Sequence, residues 1–304
     1  MQNKPLHSPR VIRFMTWRTV SSTFSVLFVL ISIISLLSNG LNLGMEFTGG
    51  QSFEFRYAHA INIENVRTEL RQAGIDNINI VEAGSEREIR VLSPPLSEAE
   101  ASALVATSLR AGGRGELVRS EKVGPQIASE LRDQSVYAIL VSLVLLLAYV
   151  SYRFQIKFAI GAISALAHDV VIVLGFFSLM HWNFSLNVFA AVLTVIGYSL
   201  NDTIVVFDRI RENLLLLNGI NAESVIDISL TQTLERTLMT SSTTLVVVLA
   251  LYIFGGDALA GFSLALIIGL VVGTYSSIYI ASNIVLGLNI SRQDMLKPVP
   301  EEEY

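Results

Sequence analysis

Between Arg18 and Glu46 the chain runs for 27 residues without a charge. A helix needs roughly 20 apolar residues to cross a ~30 Å hydrocarbon core. Thr19–Leu37, centred on VLFVLISIISLL, supplies them. Uncharged stretches recur at 134–152, 170–201, 237–256 and 258–291, and 158–169 adds another apolar run. These predict six membrane spans, at 18–38, 134–152, 158–180, 186–208, 237–256 and 262–288. Only 15% of the 304 residues are charged and 52% are hydrophobic, against ~25% charged in soluble domains. A soluble globule could not hide that much apolar surface, so the lipid bilayer is the expected solvent. A net charge of −5 argues against nucleic-acid binding. With no cysteine, disulfides, thiol nucleophiles and thiolate metal sites are excluded.

Basic residues in short loops mark the cytoplasmic side. Lys4, Arg10, Arg13 and Arg18 precede the first span; Arg153 and Lys157 flank the turn after the second; Arg209 and Arg211 follow the fourth; Arg292 and Lys297 follow the sixth. The opposite turns, near 181–186 and 255–261, hold no Lys or Arg. Both termini (1–17 and 289–304) are therefore expected in the cytoplasm and the 39–133 segment outside it. The first span reads as a retained helix rather than a cleaved signal, because its apolar core is long and no cleavage pattern follows.

The 39–133 segment is the part able to fold in water. Gln51–Tyr57 alternates, with Phe53, Phe55 and Tyr57 on one face, and predicts a strand. Ile63, Val66 and Leu70 fall at helical spacing before Gly74. Asn77–Glu82 and Arg87–Leu92 predict paired strands about Gly84-Ser85. Ser97 with Glu100 forms a capping box opening a second helix that Gly112-Gly113 ends. Glu116–Lys122 completes a β-α-β-β-α-β order, the ferredoxin-like pattern. No catalytic cluster, metal spacing or phosphate loop lies within it, and His59 stands alone. The fold class expected is thus an α-helical polytopic membrane protein with one ferredoxin-like α+β domain between helices 1 and 2.

Charged groups inside a span cost about 2.5–3.5 kcal/mol each on insertion scales and so tend to face a bundle interior for a reason. His168-Asp169 lies midway along the third span, and Asn201-Asp202 in the second half of the fourth. Burial and a nearby cation act on a carboxylate in opposite senses, and a group balanced between them takes up and releases a proton. Asp202 is the leading candidate for that role, and Arg236, just before the fifth span, is its counter-ion candidate. The alternative for Asp202 is a satisfied polar residue bonding between helices, with Asn201 as a helper; for Arg236 it is a snorkelling interfacial side chain. Asp169 and His168 are weaker candidates. Neighbours on a helix do not face each other, so the two are expected to point apart. Asp208 with Arg211, and Arg209 with Glu212, read as ordinary interfacial pairs at i,i+3. Residues 209–236 read as a cytoplasmic amphipathic loop, with a helix capped by Asn221 lying along the membrane surface. Gly269 and Gly273 form a GxxxG that marks close helix packing. No GxxxxGK[ST] is present, so ATP hydrolysis by a P-loop is not expected.

LGMEFTGG (43–50), VGP (123–125), HDVVIVLGFF (168–177), IGYSLNDTIVVFDRIREN (196–213) and LERTLMTSSTT (234–244) resemble the SecF family of protein-export membrane subunits, within the resistance-nodulation-division superfamily. The likeness spans about 15–290, with Glu46 where that family commonly has Asp. It implies pairing with SecD, work beside the SecYEG channel and a YajC-type accessory protein, and a preprotein as cargo. It also implies use of the proton-motive force at the bacterial inner membrane, without enzymatic chemistry, cofactor or metal. The family's proton-linked aspartate and arginine fall on Asp202 and Arg236; His168 and Asp169 gain nothing comparable. Two other readings remain open: a proton-coupled half-transporter for small molecules or lipids, and a passive channel-assembly factor.

Overall fold

The computed structural model describes residues 11–295. Lys4, Arg10, Lys297 and the acidic tail lie outside the described residues. A 3-10 turn, Phe14–Trp17, leads into α1 (Arg18–Ser38), then β1 (Asn42–Leu43) and the single turn α2 (Met45–Thr48). The α+β domain that lies outside the helix bundle, here the outer domain, contains β2 (Gly50–Tyr57), α3 (Ile63–Gln72), β3 (Asn79–Glu82), β4 (Glu88–Ser93), α4 (Glu98–Ala111) and β5 (Gly115–Val123). The bundle resumes with α5 (Pro125–Arg153), α6 (Ile156–Leu179), β6 (Asn183–Phe184), α7 (Leu186–Leu216) and α8 (Ala222–Phe254), and closes with α9 (Asp257–Ile278) and α10 (Ile280–Gly287). Six helices are long and apolar enough to cross a membrane, α9 and α10 together making the sixth.

In the outer domain the sheet order is β3-β4-β2-β5, with every neighbouring pair antiparallel. Placing β4 between β3 and β2 makes a split β-α-β arrangement, as the predicted element order requires. Phe53, Phe55, Ile89, Val91, Val66, Leu70 and Leu104 bury between the sheet and the two helices. Tyr57 joins them, its hydroxyl donating to the Ser108 carbonyl at 3.0 Å, and burial pushes that phenol up to about 12. Gly112 lets the chain pass the Tyr57 ring, since a Cβ there would lie 2.0 Å from Cε1. Both arms of the Ser97–Glu100 capping box form. The outer edge strand β5 carries Glu116, Arg119, Glu121 and Lys122, and such charges discourage pairing with other chains.

Gly50, with φ of +146°, starts β2 where a Cβ would sit 2.5 Å from the Ser93 carbonyl oxygen. This close approach joins the end of α2 to the sheet. Below it, β1 and β6 pair in parallel, Asn42 with Asn183 and Leu43 with Phe184, tying the outer ends of α1, α6 and α7. On the other side of the sheet β5 runs through Gly124 into α5, with Pro125 at the first helical position, where the missing N–H costs nothing.

In the bundle, α1 packs on α6 through Ser32 and Ser35, while Ser25 bonds Tyr275 of α9 at 3.0 Å. Ser35 bonds Ser178 at 2.9 Å, and a Cβ on Gly175 would collide with Ser32 at 2.2 Å. Small residues at such crossings let backbones approach. Two apolar clusters fill the bundle ends, one around Phe154, Phe158 and Phe207, the other around Phe177, Phe184 and Val188.

The 209–236 segment differs from its sequence reading. Helix α7 continues to Leu216 and α8 begins at Ala222, so only five residues connect two long helices. Asn221 caps α8, accepting from the Ser224 N–H at 2.8 Å. The first turns of α8 bury Val225, Ile226 and Leu230 in the same cluster as Phe207, Ile210 and Leu214 of α7. Asn213 donates to Ser229 at 2.8 Å and to Gln232 at 2.9 Å. The apolar face that suggested a surface-lying helix is consumed by α7 instead. The same end carries the ion pairs Arg153–Asp208 at 2.8 Å, Lys157–Asp294 at 2.8 Å and Arg18–Glu223 at 3.6 Å. Asp208 therefore pairs across helices with Arg153 rather than with Arg211, because α5 ends beside it; Arg209 does bond Glu212 at 2.6 Å.

Candidate functional site

Val192, Val195, Ser199, Asp202 and Val206 are spaced by three and four residues along α7, so they form one stripe, and all are buried. The stripe faces α9, where Gly269 and Gly273 remove the side chains that would hold the helices apart. A Cβ on Gly269 would lie 2.1 Å from Val195 Cγ2, and one on Gly273 would lie 3.2 Å from Ser199 Cβ and 3.6 Å from Asp169 Oδ2. The GxxxG of the sequence thus marks the α7–α9 contact, and the polar residues of the stripe are sealed inside it.

Asp169 of α6, 1% exposed, is the most thoroughly bonded carboxylate in this seam. Its Oδ2 accepts from Ser199 Oγ at 2.6 Å and from Ser276 Oγ at 2.7 Å. Its Oδ1 faces His168 Nδ1 at 2.9 Å. One carboxylate thereby joins α6, α7 and α9. The expectation that His168 and Asp169 point apart is overturned. Nδ1 lies one bond from the ring carbon that joins Cβ, so a sideways swing of the imidazole brings it to the short neighbouring carboxylate. The ring is also tilted against Tyr275, with centroids 6.4 Å apart, and Tyr275 donates to the Ser21 carbonyl of α1 at 2.7 Å.

Asp202, 3% exposed, is held differently. Its hydrogen bond from Ser241 Oγ of α8 is long, at 3.3 Å. Ser241 has a nearer partner in Thr274 Oγ1 at 2.8 Å, and Thr274 spends its own proton on the Leu270 carbonyl at 2.8 Å. The Ser241 proton is thus drawn toward Thr274 and away from Asp202. Tyr198, one turn along, ties α7 to α8 through a short hydrogen bond with Thr244 Oγ1. A narrow crevice with no room for a water molecule is lined by Tyr198, Ser199, Asp202, Gly269, Leu270, Gly273 and Thr274. It runs between the two carboxylate sites, touching Asp202 itself and the Ser199 that binds Asp169.

Arg236 is exposed and, among the described residues, forms no ion pair with Asp202. Its carbonyl accepts from Thr240 Oγ1 at 3.0 Å. Asn201 is exposed as well. Of the five sequence candidates, the structure brings His168 and Asp169 into contact, sets Asp202 on the same seam, and leaves Asn201 and Arg236 at the surface of this chain. Ser199, Ser276 and Thr274 were missed. Their signal was present as small hydroxyls near glycines, Ser199 in IGYSL (196–200) and Thr274 and Ser276 in GLVVGTYSS (269–277), but serine in an apolar helix is also ordinary packing material. No three His, Asp or Glu side chains among the described residues converge as a metal site would require. What the seam offers chemically is two carboxylates, several hydroxyls and one imidazole, packed together among membrane helices.

The chain matches the family described as Protein export membrane protein SecD/SecF, C-terminal, over residues 105–291, and the SecD/SecF GG Motif over residues 34–61. It is 47% identical to the protein translocase subunit SecF of Desulfurispirillum indicum over 281 residues, 89% of this chain and 90% of that protein. It is 44% identical to the SecF of Vibrio alginolyticus over 303 residues, 98% of this chain and 96% of that protein. In three dimensions it superposes on the crystal structure of SecDF, a translocon-associated membrane protein from Thermus thermophilus, with a TM-score of 0.86 and 38% identity. That likeness covers 95% of this chain and 40% of the SecDF chain. A SecDF structure in a super-membrane-facing form gives a TM-score of 0.71 over the same shares. The sequence motifs, the six-helix bundle and these likenesses agree: the chain belongs to the SecF family of protein-export membrane proteins.

Proposed function

We propose that this chain is a proton-coupled subunit of the Sec translocase, working with SecD, SecYEG and a YajC-type protein to complete export of preproteins. The observation that carries the reading is the state of Asp202: a carboxylate buried among membrane helices, with one long hydrogen bond from a serine that has a nearer partner. A carboxylate that loosely held exchanges a proton with little rearrangement. Protonation removes its charge, frees Ser241 for Thr274, and relaxes the tie between α7 and α8. Arg236, on the same helix as Ser241, is the cation that stabilises the ionised state when α8 or a partner helix brings it closer. The movement reaches the outer domain through α5, which continues directly from β5, and through the β1–β6 pairing. Each charge crossing the field is worth ~2.3 kcal/mol per 100 mV, so few protons suffice for one conformational step.

Both termini face the cytoplasm in this reading and the 39–133 segment faces outward. The ion pairs of Arg18, Arg153 and Lys157 at one end of the bundle support it, since basic residues stay on the cytoplasmic side. No step of the mechanism requires enzymatic chemistry. The test is export by membrane vesicles carrying this chain with its partners. Asp202→Asn, inserted at normal levels, is expected to abolish stimulation by a proton gradient while leaving ATP-driven export intact. Full stimulation in that variant would sink the proposal and favour a passive assembly role.

A further inference from the structure

The His168–Asp169 pair has an atom that no bond accounts for. His168 is 8% exposed, and among the described residues its Nε2 is buried without a hydrogen-bond partner. The protons around the pair can be assigned from its partners. Ser199 and Ser276 both direct hydroxyls at Asp169 Oδ2, at 2.6 and 2.7 Å, and Ser276 prefers it to the Gly273 carbonyl at 3.1 Å. Two O–H donors on one oxygen suit an ionised carboxylate, which only accepts. With Asp169 ionised, its other oxygen takes the Nδ1–H of His168 and Nε2 is left as a bare lone pair. A buried acceptor without a donor is costly, and a proton added there is compensated by the neighbouring Asp169 carboxylate.

We infer that Nε2 of His168 is a second proton-holding station in the seam, distinct from Asp202. One proton added there converts the imidazole to imidazolium beside the Asp169 carboxylate, and no bond within the protein breaks. Its place in transport rests on the proton-coupled reading above; its existence rests on the geometry of the pair alone. The charged and titratable groups around it are few. On α7 there is Asp202; on α9, Tyr275; next to it, Tyr279 at the α9–α10 break. α1 has no titratable residue beyond Arg18 at its start, and α5 keeps its charges at 130–133 and at Arg153, toward its ends. Ser199 bonds Asp169 and lies one turn from Asp202 on the same face of α7. The seam then holds two proton stations, His168 and Asp202.

The test is nitrogen NMR of the full chain, labelled with 15N-histidine, in lipid bilayers. The His168 resonances are identified by their loss in His168→Gln. Nδ1 is expected to stay protonated throughout, and Nε2 to pass from bare to protonated as the pH is lowered. Asp169→Asn, nearly identical in shape, is expected to abolish that change. A Nε2 that stays bare over the whole range, or a proton on Nε2 with Nδ1 bare, would overturn the station. Repeating the measurement in Asp202→Asn separates the two proposals. Continued titration of His168 together with lost proton-stimulated export supports both. Full export in that variant with His168 still titrating overturns the transport reading and leaves the station standing.

Discussion

The outer domain and the helix bundle are built inside out with respect to each other. In the outer domain the buried face is Phe53, Phe55, Val66, Leu70, Ile89 and Val91, while the charges pair at the surface, Arg56 with Glu88 at 2.6 Å and Arg90 with Glu54 at 3.5 Å. In the bundle the exposed side is apolar, including Phe24, Val144, Leu145, Val246 and Val247, and the interior holds His168, Asp169, Ser199, Asp202, Ser276 and Ser277. Water drives the first arrangement, because burying apolar area is favourable. In lipid that drive between helices vanishes, and packing of small residues with internal hydrogen bonds takes its place. Polar residues in the bundle therefore serve either to hold helices together or to move charge. Asp169 has three bonded partners, whereas among the described residues Asp202 receives one long hydrogen bond, from Ser241.

That contrast can be broken at several points, and the largest effect belongs to the outer domain. Phe55→Ala deletes a fully buried ring and is expected to cost about 3–5 kcal/mol in unfolding of that domain, followed by chemical denaturation. Asp169→Ala removes three hydrogen bonds at once. At about 0.6 kcal/mol for each bond in a membrane, roughly 2 kcal/mol is expected in unfolding of the detergent-solubilised chain. Asp202→Ala, losing one 3.3 Å bond, should cost no more than about 0.6 kcal/mol. Equal losses for the two aspartates would erase the distinction between a structural and a working carboxylate. The smallest effect is a pH dependence at the outer surface. Hydrogen bonds from the Ser97 hydroxyl and N–H hold the Glu100 carboxyl below its usual value. Its contribution is therefore fully present above the unfolded value, near 4.3, and lost as pH falls through the lower folded value. Glu100→Gln should flatten that acid dependence slightly in the denaturation midpoint of α4, and an unchanged profile would remove the capping box from the account.

Much of this was legible in the sequence, for reasons that differ by region. Period-two alternation in Gln51–Tyr57 and the Ser97/Glu100 spacing are local signals, and both elements formed where the residues indicated. The uncharged stretches located the apolar helices because the absence of charge needs no partner to interpret. What failed was what depends on neighbours. Nothing in the sequence of 209–236 says that α7 will cover its apolar face. Asp208 has Arg211 at an attractive spacing, yet the end of α5 delivers Arg153 instead. His168 and Asp169 were read by helix geometry alone, and a ring rotation defeated the rule. Asp202 was visible as a misplaced charge, whereas Ser199, Ser276 and Thr274 became meaningful only once α7 and α9 were seen to touch.

In the proton-coupled reading, Asp202 is the carboxyl that exchanges a proton while Asp169 remains an acceptor. Infrared difference spectroscopy of the chain in bilayers, recorded as the pH is stepped, tests it directly through the C=O stretch of a protonated carboxylic acid. A reversible carboxylic-acid band is expected that disappears in Asp202→Asn and persists in Asp169→Asn. A band that persists in Asp202→Asn and vanishes in Asp169→Asn would contradict it.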